Sequence, residues 1–171
     1  LLIPMVLAAI GLYTPETPSR RYVAATLYFI AAVSDLADGI IARRYNQQTK
    51  LGAILDPLAD KLLVNLSFIF LAVSPHFETS VPMWLPVIVL MRDAVITGGT
   101  YLIKTRYGVV TANPRITGKL NTVFQNAAIF AILIEAPFAG QLLAAMLAVI
   151  AISLVDYVYV GLGQVRAQRH S

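Results

Sequence analysis

Two pairs of aspartates interrupt an apolar chain: Asp35 with Asp38, and Asp56 with Asp60. Spacings of three and four put the members of each pair on one face if both segments are helical. The polar stretch 44–50 lets the chain reverse between them, so two helices can aim two carboxylates each at a common centre. Four carboxylates repel one another, and apolar surroundings penalise each charge. Divalent cations answer both problems, because hard oxygen ligands suit Mg²⁺ and its charge offsets theirs. Mg²⁺ also takes phosphate oxygens as further ligands, which points to a phosphate or pyrophosphate substrate. Gly39, Ala42 and Gly52 leave room for a close approach, and Arg43 is a planar, permanent cation suited to phosphate. The chain has no cysteine, which excludes a thiol nucleophile, a thiolate metal site and a disulfide framework.

The elements that must hold these residues are membrane helices. Of 171 residues, 58% are hydrophobic and only 13% charged, and the mean hydropathy is +0.72. That is too little polar surface for a soluble domain of this size. Six apolar segments are expected, at 1–13, 22–42, 56–74, 82–103, 119–136 and 137–162. Most approach the ~20 residues a helix needs to cross a bilayer. The strict alternation of a barrel is absent. The expected fold is all-α: a polytopic membrane protein of six transmembrane helices in a single domain, 1–171. The chain opens at Leu1 inside an apolar run without a charged leader or cleavage site, so the first segment reads as a truncated first helix and not as a signal peptide.

Basic residues sort by side. Arg43, Arg44 and Lys50 lie between the second and third segments. Lys104, Arg106, Arg115 and Lys119 lie between the fourth and fifth, and Arg166 and Arg169 in the tail. With six spans all of these fall on one face, cytoplasmic by the positive-inside rule. The net charge of +4 thus reports topology and anionic headgroups; no nucleic-acid partner is expected. An Asp at a helix centre costs about 2.5–3.5 kcal/mol on the insertion scale. Asp38 precedes Arg43 by five residues, about 7–8 Å of helix, so the cluster is expected just inside the cytoplasmic interface, at headgroup depth.

The run 35–60 fits D-x2-D-G-x2-A-R-x8-G-x3-D-x3-D at all eight fixed positions: Asp35, Asp38, Gly39, Ala42, Arg43, Gly52, Asp56 and Asp60. In this the chain resembles the CDP-alcohol phosphotransferase family. The resemblance implies a CDP-linked donor, usually CDP-diacylglycerol, and two Mg²⁺ ions (Mn²⁺ is the alternative) held by the four aspartates. It implies Asp60 as general base toward the acceptor hydroxyl, with CMP as leaving group. Gly39, Ala42 and Gly52 would line the cytidine pocket beside Asp38, and Arg43 would meet phosphate. It further implies a homodimer in a bacterial inner membrane, with the active site at the cytoplasmic face.

The acceptor is read from Arg92, Arg115, Lys119 and Asn121. Arg92 lies with Asp93 inside the fourth segment, where it serves either an acceptor phosphate or an internal ion pair. Arg115 and Lys119 offer a basic pocket or ordinary positive-inside charge. Lys61 balances the cluster or snorkels. The resemblance divides here: phosphatidylglycerophosphate synthases usually carry a Lys where this chain has Asn121, whereas CMP-forming cardiolipin synthases carry Lys-x-Asn-Thr. The stretch 97–100 also lacks a Leu-Arg pair found in synthases acting on glycerol 3-phosphate. The fewer positive charges lean toward phosphatidylglycerol as acceptor, with glycerol 3-phosphate the alternative. A membrane cation transporter is the rival of another class. Against it, the aspartates gather toward one face, and only Asp156 extends the acidic set on another helix, near the same side. His76 and His170 read as surface residues, and Trp84, Tyr101, Tyr107, Tyr157 and Tyr159 as an interfacial belt.

Overall fold

The computed structural model describes residues 2–44, 52–107 and 116–169. Within them, the side chains of 35, 36, 38–44, 52–60, 104, 107, 162 and 164–169 lie outside the description. The described residues form six α-helices and no strand. These are α1 (Leu2–Gly11), α2 (Ser19–Arg44), α3 (Gly52–Val73), α4 (Trp84–Tyr107), α5 (Ile116–Leu133) and α6 (Ala139–Arg169). Each expected segment holds one helix.

Local chemistry sets the breaks. After α1 the Thr17 amide donates to the Thr14 carbonyl at 2.9 Å, and the Arg20 guanidinium donates to the Leu12 carbonyl at 2.7 Å. That bond takes up a carbonyl at the end of α1, where the helix offers no partner of its own. α5 stops in a Schellman turn: the Ala136 amide donates to the Ala131 carbonyl at 2.9 Å and the Glu135 amide to the Ile132 carbonyl at 3.0 Å. Glu135 holds the left-handed position, with φ 51°. Its carboxylate pairs with Arg21 at the start of α2 and accepts from the Tyr13 hydroxyl at 2.9 Å. One side chain thereby ties the α5–α6 turn to the α1–α2 connection and to the first turn of α2.

α5 lies along α6, α1 against α2 and α3, and α4 on α6 and α3. The core between them is built from Ile10, Tyr28, Phe68, Leu71, Ile129, Ile132 and Met146, all fully or almost fully buried. Outward, α4 exposes Val87, Leu90, Met91, Val95 and Leu102, and α6 exposes Ile152, Val155 and Tyr159. Two stretches, Trp84–Ile103 and Ala139–Gly161, are long and apolar enough to cross a membrane, and only 11% and 22% of them is buried. The core helix of a soluble protein would be mostly buried. Apolar faces this extended are at home in lipid or in an interface.

Among the described residues no other stretch meets that composition test. α2 carries Asp35 and Asp38 near its end, and the described apolar stretch of α3 is Lys61–Val73. α1 spans ten residues, and α5 carries Lys119, Asn121, Gln125 and Asn126 within eighteen. The helix number agrees with the expectation, while clear membrane-spanning composition is confined to α4 and α6 among the described residues.

Candidate functional site

α2 and α3 are in contact and are joined by only seven residues, 45–51, so the end of α2 and the start of α3 lie at the same end of the bundle. Asp38 and Asp35 stand six and nine residues before Arg44, about 9 and 13–14 Å along α2. Asp56 and Asp60 stand four and eight residues after Gly52, about 6 and 12 Å along α3. The two pairs therefore occupy similar levels on neighbouring helices. Gly39, Ala42 and Arg43 lie on the same last turns of α2, and Gly52 opens α3. The side chains of these residues lie outside the described set, as does all of Arg115. Among the described side chains no group of three or more metal-ligating residues occurs. Four carboxylates on two adjoining helix ends are a donor set that suits Mg²⁺ or Mn²⁺. α3 also runs through Pro57, which has no N–H and so leaves the Ala53 carbonyl without its helical donor beside Asp56.

The polar residues of α4 join this end to α6. Arg92 donates to Asp93 at 2.8 Å and to the Ser153 hydroxyl of α6 at 2.5 Å, with its side chain 10% exposed. Its Nε is buried without a partner. Lys61, next to Asp60, reaches Asp93 at 3.6 Å and donates to Thr97 at 3.2 Å. The internal ion pair is thus present at Arg92. The described partner of the Lys61 amine is Asp93 of α4, which neither reading of Lys61 named.

α5 begins with the remaining candidates. Lys119 is exposed, while Asn121 is 1% exposed and both its amide atoms lack partners. Gln125 is also buried, with Nε2 unpartnered. Thr117 donates to Asp156 of α6 at 2.8 Å. A Cβ on Gly118 would lie 3.1 Å from the Tyr157 hydroxyl. Ser153 and Asp156 are three residues apart, so one face of α6 receives both Arg92 from α4 and Thr117 from α5.

Thr117, Gln125 and Ser153 were not singled out by sequence. Thr117 and Gln125 flank the candidate Asn121 at spacings of four, a polar stripe on one helix face that a periodicity reading could have found. Ser153 carries no such signal. Tyr157, expected in an interfacial belt, is half-buried against Gly118, whereas Trp84, Tyr101 and Tyr159 are exposed as that reading requires. His76 is exposed and His170 lies outside the described residues. Among the described residues nothing lies within 4 Å of a Cβ built on Gly98 or Gly99.

The sequence profile of the CDP-alcohol phosphatidyltransferase family matches residues 1–157. A CDP-diacylglycerol–glycerol-3-phosphate 3-phosphatidyltransferase of Bacillus subtilis (strain 168) is 36% identical over 118 residues, 69% of this chain and 58% of that protein. The chain thus spans little more than half the length of that relative. A probable phosphatidylglycerophosphate synthase of Mycobacterium tuberculosis (strain H37Rv) is 32% identical over 164 residues, 96% of this chain and 74% of the relative. A probable CMP-forming cardiolipin synthase of Drosophila melanogaster is 36% identical over 120 residues, 61% of this chain and 36% of the relative.

Proposed function

We propose, on the premise that this chain belongs to the CDP-alcohol phosphatidyltransferase family, that it moves a phosphatidyl group from CDP-diacylglycerol to a glycerol-based acceptor and releases CMP. The observation that carries this is the aspartate motif laid across the end of α2 and the start of α3, with both pairs at similar levels. Asp35, Asp38, Asp56 and Asp60 would hold Mg²⁺, which supplies charge neutralisation at the donor pyrophosphate. Asp60 takes the proton of the acceptor hydroxyl. The freed oxygen bonds to the phosphorus that bears diacylglycerol, and the bond from that phosphorus to the CMP oxygen breaks. Arg43 at the end of α2 binds phosphate. Gly39, Ala42 and Gly52 leave space for cytidine beside Asp38.

The acceptor we favour is phosphatidylglycerol. Asn121 contributes neutral amide atoms where a lysine would contribute charge, and the Arg92 guanidinium is already shared between Asp93 and Ser153. Both features reduce the positive charge offered to an acceptor and suit a single phosphodiester. The second reading is glycerol 3-phosphate, favoured by the names of the Bacillus and Mycobacterium relatives. In either case six helices cross the membrane with the aspartates at the cytoplasmic end.

The test supplies labelled CDP-diacylglycerol and Mg²⁺ to the full chain in mixed micelles, offering phosphatidylglycerol, glycerol 3-phosphate, serine and inositol phosphate separately. Cardiolipin from the first arm alone is the expected product. Turnover with glycerol 3-phosphate only would move the chain to the second reading. EDTA should stop CMP release and Mg²⁺ restore it; activity that survives chelation would refute the metal reading.

A further inference from the structure

The turn 153–157 of α6 makes contacts that the proposed chemistry does not use. Asp156 is the one acidic residue of α6, and it holds Thr117 in the first turn of α5 at 2.8 Å. A hydroxyl donating to a carboxylate is among the stronger protein hydrogen bonds. One residue along each helix, Gly118 faces the Tyr157 hydroxyl so closely that an added Cβ would sit 3.1 Å from it. One contact pulls α5 onto α6 and the other sets how near it can come. On the same face of α6, Ser153 accepts from Arg92 of α4.

We propose that Asp156 and Tyr157 are positioning residues, which fix the rotation and approach of α5 and thereby set acceptor affinity. The inference rests on the reading of Lys119 and Asn121 as acceptor-binding. Helix geometry links them to the clamp. Asn121 follows Thr117 by four residues, a net turn of about 40°, so it shares the face that meets α6. Lys119 follows by two, about 200° round, and faces away. Their burial agrees: Asn121 is 1% exposed and Lys119 is exposed. A side chain about 6 Å from the helix axis moves about 1 Å for each 10° of rotation. Misplacement of that size at a substrate contact is costly. Rotation of α5 displaces Lys119 and Asn121 directly, whereas the aspartates are carried by α2 and α3.

The measurement is steady-state kinetics of the full chain in mixed micelles, with phosphatidylglycerol as acceptor in one arm and glycerol 3-phosphate in the other. Thr117→Val removes the hydroxyl and keeps the shape. We expect it to raise the acceptor KM about 3–10-fold, the loss of one hydrogen bond, with donor KM and kcat unchanged. Thr117→Ser should restore the KM. Gly118→Ala should raise it as well, and adding Tyr157→Phe, which removes the opposing hydroxyl, should bring it back toward the Tyr157→Phe reference. An unchanged acceptor KM in Thr117→Val, alongside a raised one in Lys119→Ala, overturns the clamp and leaves the acceptor site standing. A fall in kcat, donor affinity and melting temperature together reduces the contact to ordinary packing and also overturns it. If neither Lys119→Ala nor Asn121→Ala changes the acceptor KM, the acceptor site itself is wrong and the clamp falls with it.

Discussion

Lys61 follows Asp60 by one residue, and one residue on a helix is a turn of about 100°. That turn carries its amine to Asp93 and Thr97 of α4. Asp93 then serves two cations, Lys61 at 3.6 Å and Arg92 at 2.8 Å, and its side chain is 14% exposed. A carboxylate so enclosed needs both, because a buried charge without a partner costs several kcal/mol. Asp60, one residue earlier, is the proposed general base. Replacing Asp60 with Asn keeps the size and removes the ability to take a proton. CMP release should fall by about 10²–10⁴-fold, the range for loss of a positioned base. Single-turnover release of labelled CMP checks this, and a wild-type rate would remove Asp60 from the role.

The α5–α6 turn sets two effects against each other at Glu135. A side chain in the left-handed region costs about 1–2 kcal/mol, which glycine would avoid. Against that cost, the nearly buried Glu135 carboxylate pairs with Arg21 and accepts from the Tyr13 hydroxyl. These contacts give glutamate a role at a glycine position. Glu135→Gly and Glu135→Ala should both melt earlier in detergent, with Gly the more stable of the two by about 1 kcal/mol, since only Ala keeps the backbone strain. If Ala equals Gly, strain at this turn is negligible. The helices themselves were legible because apolar runs broken by Pro15, Pro18, Pro75 and Pro137 leave few alternatives. α6 outran its expected end at 162 and reaches Arg169. Hydropathy reports the end of the apolar region, while Gln164, Arg166, Ala167, Gln168 and Arg169 are good helix formers. The aspartate motif was legible because its members are close in sequence. The bonds from Arg92 to Ser153 and from Thr117 to Asp156 cross 61 and 39 residues and depend on how α6 lies against α4 and α5, which no local pattern encodes.

At the scale of the whole molecule, the aspartates matter only if they meet substrate on the side where CDP-linked donors are available. Among the described residues two helices have clear membrane-spanning composition, and the sidedness of the rest can be measured directly. The six-span arrangement sends 45–51 and 108–115 to one side, and 12–18 and 74–83 to the other. The basic residues Lys50 and Arg115 lie in the first set, while Glu16 and Glu78 lie in the second, the asymmetry that retains loops on the cytoplasmic side. The chain contains no cysteine, so single cysteines report without background. Gln48→Cys and Ala112→Cys should resist a membrane-impermeant thiol reagent in intact cells and react once the membrane is opened. Glu16→Cys and Glu78→Cys should react in intact cells. Labelling of Gln48→Cys and Glu78→Cys from the same side would mean that α3 turns back without crossing. In that case the six-span arrangement would have to be abandoned, and with it the cytoplasmic location argued from the loops.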